Sequence, residues 1–570
     1  MSPRYTAFAT AALVSQTSAR LTFAPCPQLN ELITTVNQVP SLPTFDCGTL
    51  AVPLDYTDNS STTLDLAVFR VNATQQPSIG SVLMNFGGPG GTGAENLPAY
   101  ANQAHHIIGP QWDLVSWDPR GTGNTLPFQC NLTDFTPASI SNTKRDTESL
   151  VSTNLTAVFL NFGWDFAGIM AEACYEQSNQ TGNLIGTAFT ARDMMEIVDA
   201  LGEDGLLRYY GWSYGTVLGS YVAVMFPDRM ERVVLDGNLN PHDYQSGTYG
   251  EIALHDDAAF EAFLDTCYHA GNACALNEIL VPNSTADYFN KINALLAQQA
   301  PAASHNATSY STWAGLKSQL IQALYFPVTW PSRAQTFADL LAATLSGKIP
   351  PIPDSSSNVT YGNASPNTNI IGIRASDAIF HANSSAEYLP IVEQQAAVSP
   401  GFSDAAYYSL WPSARWLMPA AERYWGDFNV TTKTPILYVN GQYDPVTPLT
   451  NAFNASQSFH GSSVLQHSGY GHGLFASPSE CAARYVRAYF LNGTLPANAT
   501  ECLPDQTLLQ TWLANVAPSN ASSNGTVGGG NSTSPDATPS PAVSNGGSLV
   551  RGVNSEILVA AAFATLAFVM

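Results

Sequence analysis

Residues 206–227 read LLRYYGWSYGTVLGSYVAVMFP. An apolar, aromatic-rich run meets a glycine, a serine stands between Gly211 and Gly215, and a second apolar run continues until Pro227. The pattern predicts a strand over 206–210 and a helix after Ser213 that stops at the proline. The chain must then reverse within a few residues, and the two glycines allow close approach of neighbouring backbone. Such a turn strains the serine and presents its hydroxyl above the strand's C-terminal edge. The helix N-terminus behind it favours developing negative charge. The competing reading is a surface serine in a glycine-rich turn. With 42 glycines in the chain, G-x-S-x-G alone decides little.

The surroundings decide more. Residues 63–73 (TLDLAVFRVNA) alternate like a strand, and SVLMNFGGPGG and WDLVSWDPRGTG each give a short apolar run followed by glycines. Ala191 to Leu201 has helical spacing; RVVLDG, PILYVNGQYD and SSVLQHSGYGH supply further strands. Strand and helix in alternation predict an α/β fold with a mostly parallel sheet. Between Pro241 and about Phe428 the pattern turns helical (HDDAAFEAFLDTCY, DYFNKINALLAQQ, WAGLKSQLIQALYF, RAQTFADLLAATL). That stretch reads as a helical cap inserted into the α/β domain, because strands resume at Thr434.

A serine hydroxyl needs a base to take its proton. On a strand-turn-helix elbow the acid and then the base follow later in the chain, in loops after strands. Asp444 in NGQYDPVTP and His472 in SGYGHGLF satisfy both order and position. Asp236 in LDG is a rival acid and His467 a rival base, but His467 falls inside the strand-like run rather than the glycine turn. Two backbone amides are needed for the oxyanion: Tyr214, which follows the nucleophile, and one from NFGGPGGTG, with Gly88 chosen and Gly87 close behind. The same loop spells G-x-G-x-x-G through Gly88, Gly90 and Gly93, with Asp113 and Asp118 lying 20 and 25 residues past Gly93. A FAD- or NAD-binding oxidoreductase is therefore an alternative of another class, although the triad has no role in it and Pro89 is unusual in such a turn. A non-catalytic adhesion protein is a third, weakened because neither nucleophile nor base is missing. No cofactor is expected and no metal, since H-E-x-x-H is absent and the histidines are scattered.

The 570 residues carry a formal net charge of −23 without a Lys/Arg cluster, which speaks against nucleic acid and anionic membrane surfaces as partners. Arg4, the apolar run Tyr5–Val14 and Thr17-Ser18-Ala19 resemble a signal peptide over 1–19. Seventeen N-x-S/T sequons, among them Asn72, Asn131, Asn154, Asn283, Asn429 and Asn492, suit a secreted glycoprotein. Eight cysteines without a C-x-x-C pair read as disulfides: Cys267 with Cys274 across a short loop, Cys481 with Cys502 around a helix, then Cys26 with Cys47 and Cys130 with Cys174 as nearest neighbours. Residues 516–545 form a Ser/Gly/Asn/Thr/Pro-rich stalk. Small residues from Asn545, a nine-residue spacer and an apolar tail from Ile557 to Met570 match a GPI-attachment signal, with 546–570 as the propeptide and Asn545 as the attachment residue. Fourteen apolar residues are too few for a spanning helix. The expected layout is thus hydrolase parts at 20–240 and 429–515 around a cap at 241–428. Any membrane contact is expected only through the anchor.

Taken together, CGTLAVPLDY, NFGGPGGTG, WDPRGTGNT, YYGWSYGTVLGSYVAVMFPDRMERVVLDGNLNP, NGQYDPVTP and GYGHG resemble the tripeptidyl aminopeptidase-like branch of the α/β-hydrolases, related to prolyl aminopeptidases. The resemblance runs from about Cys47 to Cys502. It implies an α/β-hydrolase fold, Ser213, Asp444 and His472 as the triad, and a C-terminal segment that includes Cys481 and Cys502. The chain departs from it in three places. Phe86 stands where prolyl aminopeptidases have a His before GGPG, and Ala375 and Ser413 stand where the tripeptidyl group often carries two cysteines, a paired loss that implies a missing disulfide. The implied activity is a secreted serine aminopeptidase that releases short N-terminal peptides or residues through an acyl-enzyme; an esterase on the same fold is the alternative. Such an enzyme needs a carboxylate for the substrate's α-ammonium. From Pro241 to Arg423 there are 15 acids and 7 bases; Glu251 is the first choice, with Asp257 beside it and Asp256 and Glu261 in the same stretch.

Overall fold

The computed structural model describes residues 20–37, 42–130, 155–305, 320–345, 366–399, 401–402 and 411–516. The expected signal peptide, the stalk, Asn545 with its propeptide, and the sequons at Asn131 and Asn154 lie outside the described residues. Among the described residues a single sheet of ten strands organises the fold. In chain order these are β1 (Ala24–Pro25), β2 (Asp46–Pro53), β3 (Thr63–Val71), β4 (Ser81–Asn85), β5 (Asp113–Trp117), β6 (Leu207–Trp212), β7 (Met230–Asp236), β8 (Leu437–Tyr443), β9 (Ser463–Tyr470) and β10 (Thr500–Cys502). Their spatial order is β1-β2-β3-β5-β4-β6-β7-β8-β9-β10. β1, β2 and β3 pair antiparallel up to β5; every pairing from β5 to β10 is parallel.

Burial follows the pairing. β4 (SVLMN) is buried at all five positions, as a central parallel strand with helices on both faces requires. In β2 only Leu50 and Val52 are buried, while Thr49, Ala51 and Pro53 on alternate positions are exposed, the alternation of an antiparallel strand with one wet face. Successive strand residues feed two cores. Leu83, Tyr209, Val233 and Tyr438 join the face covered by helices Thr187–Leu201 and Tyr214–Met225. Met84, Tyr210, Val234 and Leu437 join the face covered by Gly93–Ile108 and Glu480–Asn492.

Between β7 and β8 the described residues form helices and no strand. The long helices there are Asp256–Ala270, Thr285–His305, Trp330–Leu345, Pro366–Asp377 and Ser385–Val398. Part of this insertion builds a third core, in which Phe260, Phe263, Trp330 and Phe402 pack with Trp512 of the C-terminal helix Leu508–Asn515. Ala375 and Ser413 are both buried on helices that pack together, Pro366–Asp377 and Trp411–Arg415, and Ser413 Oγ has no hydrogen-bond partner. All eight cysteines are paired: Cys26–Cys47, Cys130–Cys174, Cys267–Cys274 and Cys481–Cys502. The sequons at Asn72, Asn283, Asn429 and Asn492 are exposed.

Candidate active site

The turn between β6 and helix Tyr214–Met225 is as tight as its glycines require. Ser213 has φ 58° and ψ −127°, a conformation that L-residues adopt only when the surroundings impose it. The surroundings do so from both ends: Ser213 N donates to Asp236 O at 3.0 Å, and Ser213 O accepts from Thr216 N at 2.8 Å and from Thr216 Oγ1 at 2.6 Å. A Cβ on Gly211 would lie 2.4 Å from Gly215 O, and one on Gly215 would lie 2.6 Å from Asn85 O. The glycines therefore serve the packing of the elbow against β4 rather than loop freedom.

Asp444 follows β8 and His472 follows β9, and the structure joins them. His472 Nδ1 lies 3.0 Å from Asp444 Oδ2 and 3.2 Å from Oδ1, with both residues buried. Asp444 also accepts from Val446 N, Thr447 N, Thr447 Oγ1 and Gly473 N at 2.7–3.0 Å. Burial pushes this carboxyl upward, but His472 and the hydrogen bonds outweigh burial and hold it below its ordinary value. The His472 ring is fixed between Trp212 (centroids 5.2 Å apart) and Tyr325 (5.3 Å), and His472 N donates to Tyr325 O. Nε2 is buried and has no hydrogen-bond partner, so it is the nitrogen open to a proton from outside the pair. Trp212 directly precedes Ser213, which brings the imidazole to the elbow.

The two rivals have other duties. Asp236 accepts from Tyr210 OH and from Leu474 N, so it ties the end of β7 to the residues just after His472; burial raises its carboxyl to about 7. His467 sits inside β9, and its burial lowers the imidazole to about 4.

The loop after β4 lies against the elbow. A Cβ on Gly87 would stand 2.7 Å from Ser213 Cβ and 3.0 Å from Tyr214 N. Gly87 N is already committed to Asn85 Oδ1 at 3.0 Å, which leaves the next amide, Gly88, as the donor the loop can offer. Tyr214 N lies in the first turn of its helix, where amides have no intrahelical acceptor. The acids of the dinucleotide alternative are occupied: Asp118 accepts from Gly93 N and Ala94 N and caps helix Gly93–Ile108, and Asp113 accepts from Ala73 N. A Cβ on Gly93 would meet the Trp117 backbone at 2.6 Å, so this glycine serves helix–sheet contact.

The acids of the insertion divide. Glu251 is half-buried, with Oε1 accepting from Asn454 Nδ2 at 2.7 Å and Oε2 from Asn240 Nδ2 at 3.3 Å. Asp257 accepts from Gly401 N and keeps a buried Oδ1 without a partner. Asp256, at the start of its helix, is fully buried, its Oδ1 unpartnered, and burial, then Asp257, then Asp444 push its carboxyl far above the ordinary range. Residues that sequence reasoning did not single out complete the site: Thr447, which also lies 3.1 Å from His472 Nδ1, and Arg374, whose Nη2 donates to Gly88 O at 2.8 Å. Thr447 had a signal, three residues after the acid in DPVT; Arg374 is 286 residues from its partner and had none.

A strained serine after one parallel strand, with an aspartate and a histidine in loops after two later ones, defines a serine hydrolase of the α/β-hydrolase fold. The comparisons give the finer class. The family described as TAP-like protein matches residues 399–502, the stretch that holds both Asp444 and His472. A tripeptidyl aminopeptidase of Streptomyces lividans is 27% identical over 490 residues, 81% of this chain and 84% of its own. Serine protease Hip1 of Mycobacterium tuberculosis is 25% identical over 484 residues, 80% of this chain and 87% of its own. Carboxylesterase B of the same organism is 27% identical over 517 residues, 86% of this chain and 92% of its own. Among solved structures, an α/β-hydrolase fold protein from Chitinophaga pinensis aligns with 78% of this chain and 98% of its own, at 13% identity and a TM-score of 0.32. The chain is thus a serine hydrolase of the α/β-hydrolase fold whose residues 399–502 match the TAP-like family and which is similar over most of its length to a tripeptidyl aminopeptidase and a serine protease.

Proposed function

We propose that this protein is a secreted aminopeptidase that removes short N-terminal peptides or residues through a Ser213 acyl-enzyme. One observation carries the reading: His472 is held by Nδ1 on Asp444 while its Nε2 is buried and unpartnered beside the Ser213 turn. Ser213 Oγ attacks the scissile carbonyl as His472 Nε2 takes its proton. His472 then returns that proton to the leaving amine, and water repeats the cycle on the acyl-enzyme. Asp444 keeps the imidazole in the tautomer with Nδ1 protonated and stabilises its cation. The amides of Tyr214 and Gly88 receive the oxyanion.

The names of two relatives, a tripeptidyl aminopeptidase and a serine protease, support a peptide substrate. For the α-ammonium we infer Asp256 rather than Glu251, because both oxygens of Glu251 are already engaged and Oδ1 of Asp256 is buried and unpartnered. Four disulfides and exposed sequons support secretion, and no helix among the described residues is long and apolar enough to cross a membrane. GPI attachment at Asn545 rests on the sequence pattern. The second reading, a carboxylic-ester hydrolase, is favoured by the relative named carboxylesterase B.

The deciding experiment compares kcat/KM for matched peptides with free and acetylated N-termini. Loss of one partner of a buried charge pair costs about 2–5 kcal/mol, so acetylation is expected to lower kcat/KM by roughly 30-fold to several thousand-fold. Asp256→Asn is expected to penalise free-amine peptides by a similar factor and acetylated ones little. Equal kcat/KM for the two peptides would replace the aminopeptidase by the esterase.

A further inference from the structure

One helix of the insertion, Pro366–Asp377, is linked to both residues proposed as oxyanion donors, to Gly88 directly and to Tyr214 through Thr187. Arg374 Nη2 donates to Gly88 O at 2.8 Å, and Asn369 Nδ2 reaches Gly90 O at 3.4 Å. Three residues after Arg374, Asp377 is fully buried and accepts from Thr187 N and from Tyr244 OH, each at 2.9 Å, and from Thr187 Oγ1. Thr187 Oγ1 is hydrogen-bonded in turn to Tyr214 OH. A threonine hydroxyl has one proton, and here it goes to Asp377; Tyr214 must therefore donate to Thr187. A relay Tyr214→Thr187→Asp377 thus holds the side chain whose own backbone N–H is the first oxyanion donor, and Arg374 holds the carbonyl of Gly88, in the peptide that directly follows the second donor amide.

The physical need for such anchors is specific. The peptide that carries the Gly88 N–H is held at its carbonyl by Gly91 N, 3.1 Å from Gly87 O, but Gly88 itself has φ +106° and no side chain to fix how the chain leaves that peptide. Oxyanion stabilisation depends on donors aimed before the reaction starts. A guanidinium on the Gly88 carbonyl is a charge-assisted bond from an element that is itself buried: Arg374 and Asp377 are 3% and 2% exposed. We propose that Arg374 and Asp377 are positioning residues of the oxyanion hole. The insertion then does more than cover the site: seating helix Pro366–Asp377 holds the two residues whose amides donate, Gly88 at its carbonyl and Tyr214 at its side chain. The proposal rests on the assignment of Gly88 and Tyr214 as those donors.

The test uses the full chain and a substrate-derived peptide aldehyde paired with the corresponding alcohol. With the aldehyde, a bond forms between Ser213 Oγ and the carbonyl carbon, the serine proton passes to His472 Nε2, and the former carbonyl oxygen occupies the oxyanion site; the alcohol binds without that step. The ratio of their inhibition constants isolates the hole. In the parent enzyme the aldehyde is expected to bind at least about 100-fold tighter, as for transition-state analogues. Arg374→Met is expected to shrink that ratio at least tenfold, to lower kcat in parallel and to leave KM within about threefold. Arg374→Lys, whose ammonium still reaches one carbonyl, is expected to restore most of the ratio. Tyr214→Phe keeps the backbone amide and the ring while it removes the relay, and is expected to shrink the ratio as well, which carries the test if Arg374→Met does not fold. A ratio unchanged within twofold in Tyr214→Phe together with Arg374→Met, or in Tyr214→Phe alone if the other fails to fold, overturns the proposal, as does a loss confined to KM. A parent with no preference for the aldehyde overturns instead the donor assignment beneath it.

Discussion

Thr447 shows how much of this site depends on a single hydroxyl. Its Oγ1 is 2.7 Å from Asp444 Oδ2 and 3.1 Å from His472 Nδ1, so it fixes the carboxylate on the side where the imidazole must meet it. A buried hydrogen bond to a charged group is worth about 1.5–3 kcal/mol. Thr447→Val, nearly the same in shape, is therefore expected to lower kcat by roughly 10- to 150-fold with KM little changed; a kcat within twofold of the parent would remove Thr447 from the account. Asp256 gives the pH prediction. Burial, with Asp257 and Asp444 as neighbouring charges, raises its carboxyl well above the ordinary carboxylate range. A bound ammonium favours the carboxylate, so binding releases a proton and must tighten as pH rises, until the substrate's own amine, with a pKa near 8, loses its charge. KM for free-amine peptides is expected to fall as pH rises towards the pKa of the amine, and that fall to vanish in Asp256→Asn. A flat KM in the parent would exclude Asp256 as the amine partner. Ser213, Asp444 and His472 were legible because each sits where a strand meets a punctuated loop. Thr187, Arg374 and Asp377 were not, because their roles arise from contacts that bridge roughly 30 to 290 residues of chain.

At the level of elements, the parallel strands stand out in sequence because burial on both faces makes them continuous apolar runs: SVLMN, DLVSW and MERVVLD became β4, β5 and β7. β10 is only three residues, Thr500–Cys502, and no periodicity distinguishes it from the loop around it. Helix Gly93–Ile108 carries Pro98 in its second turn, which obscures it as well. What makes β10 a strand is tertiary: it pairs with β9 from Leu465 to His467, and Cys502 is bonded to Cys481 on helix Glu480–Asn492. The disulfide therefore clips the edge strand to the helix that covers it, close in sequence to His472. Closing a loop of this length restricts the unfolded chain by about 3 kcal/mol. Replacing Cys481 and Cys502 with alanine is expected to lower stability by that order in denaturant titration, with kcat reduced less than twofold at temperatures where the protein stays folded. A loss under about 0.5 kcal/mol would show that β10 docks without the clip.

For the molecule as a whole, one sheet places every part of the chemistry on its C-terminal edge. β4 delivers the glycine loop, β6 the serine, β8 the aspartate and β9 the histidine, and the insertion between β7 and β8 carries Asp256, the proposed amine partner, and Arg374 and Asp377, the proposed positioning residues. The α/β class and the place of the insertion were readable from the alternation of patterns along the chain; how the insertion seats on the glycine loop was not, since amphipathic helices state that they pack but not against what. The central claim is that a chain rich in serines has one that reacts. It is tested most directly by treating the full protein with a fluorophosphonate and mapping the adduct by mass spectrometry. The expected result is one adduct per chain, on Ser213, absent in Ser213→Ala, with that variant folded and its turnover reduced by about 10³-fold or more. An adduct on another serine, or equal labelling of parent and variant, would contradict the account.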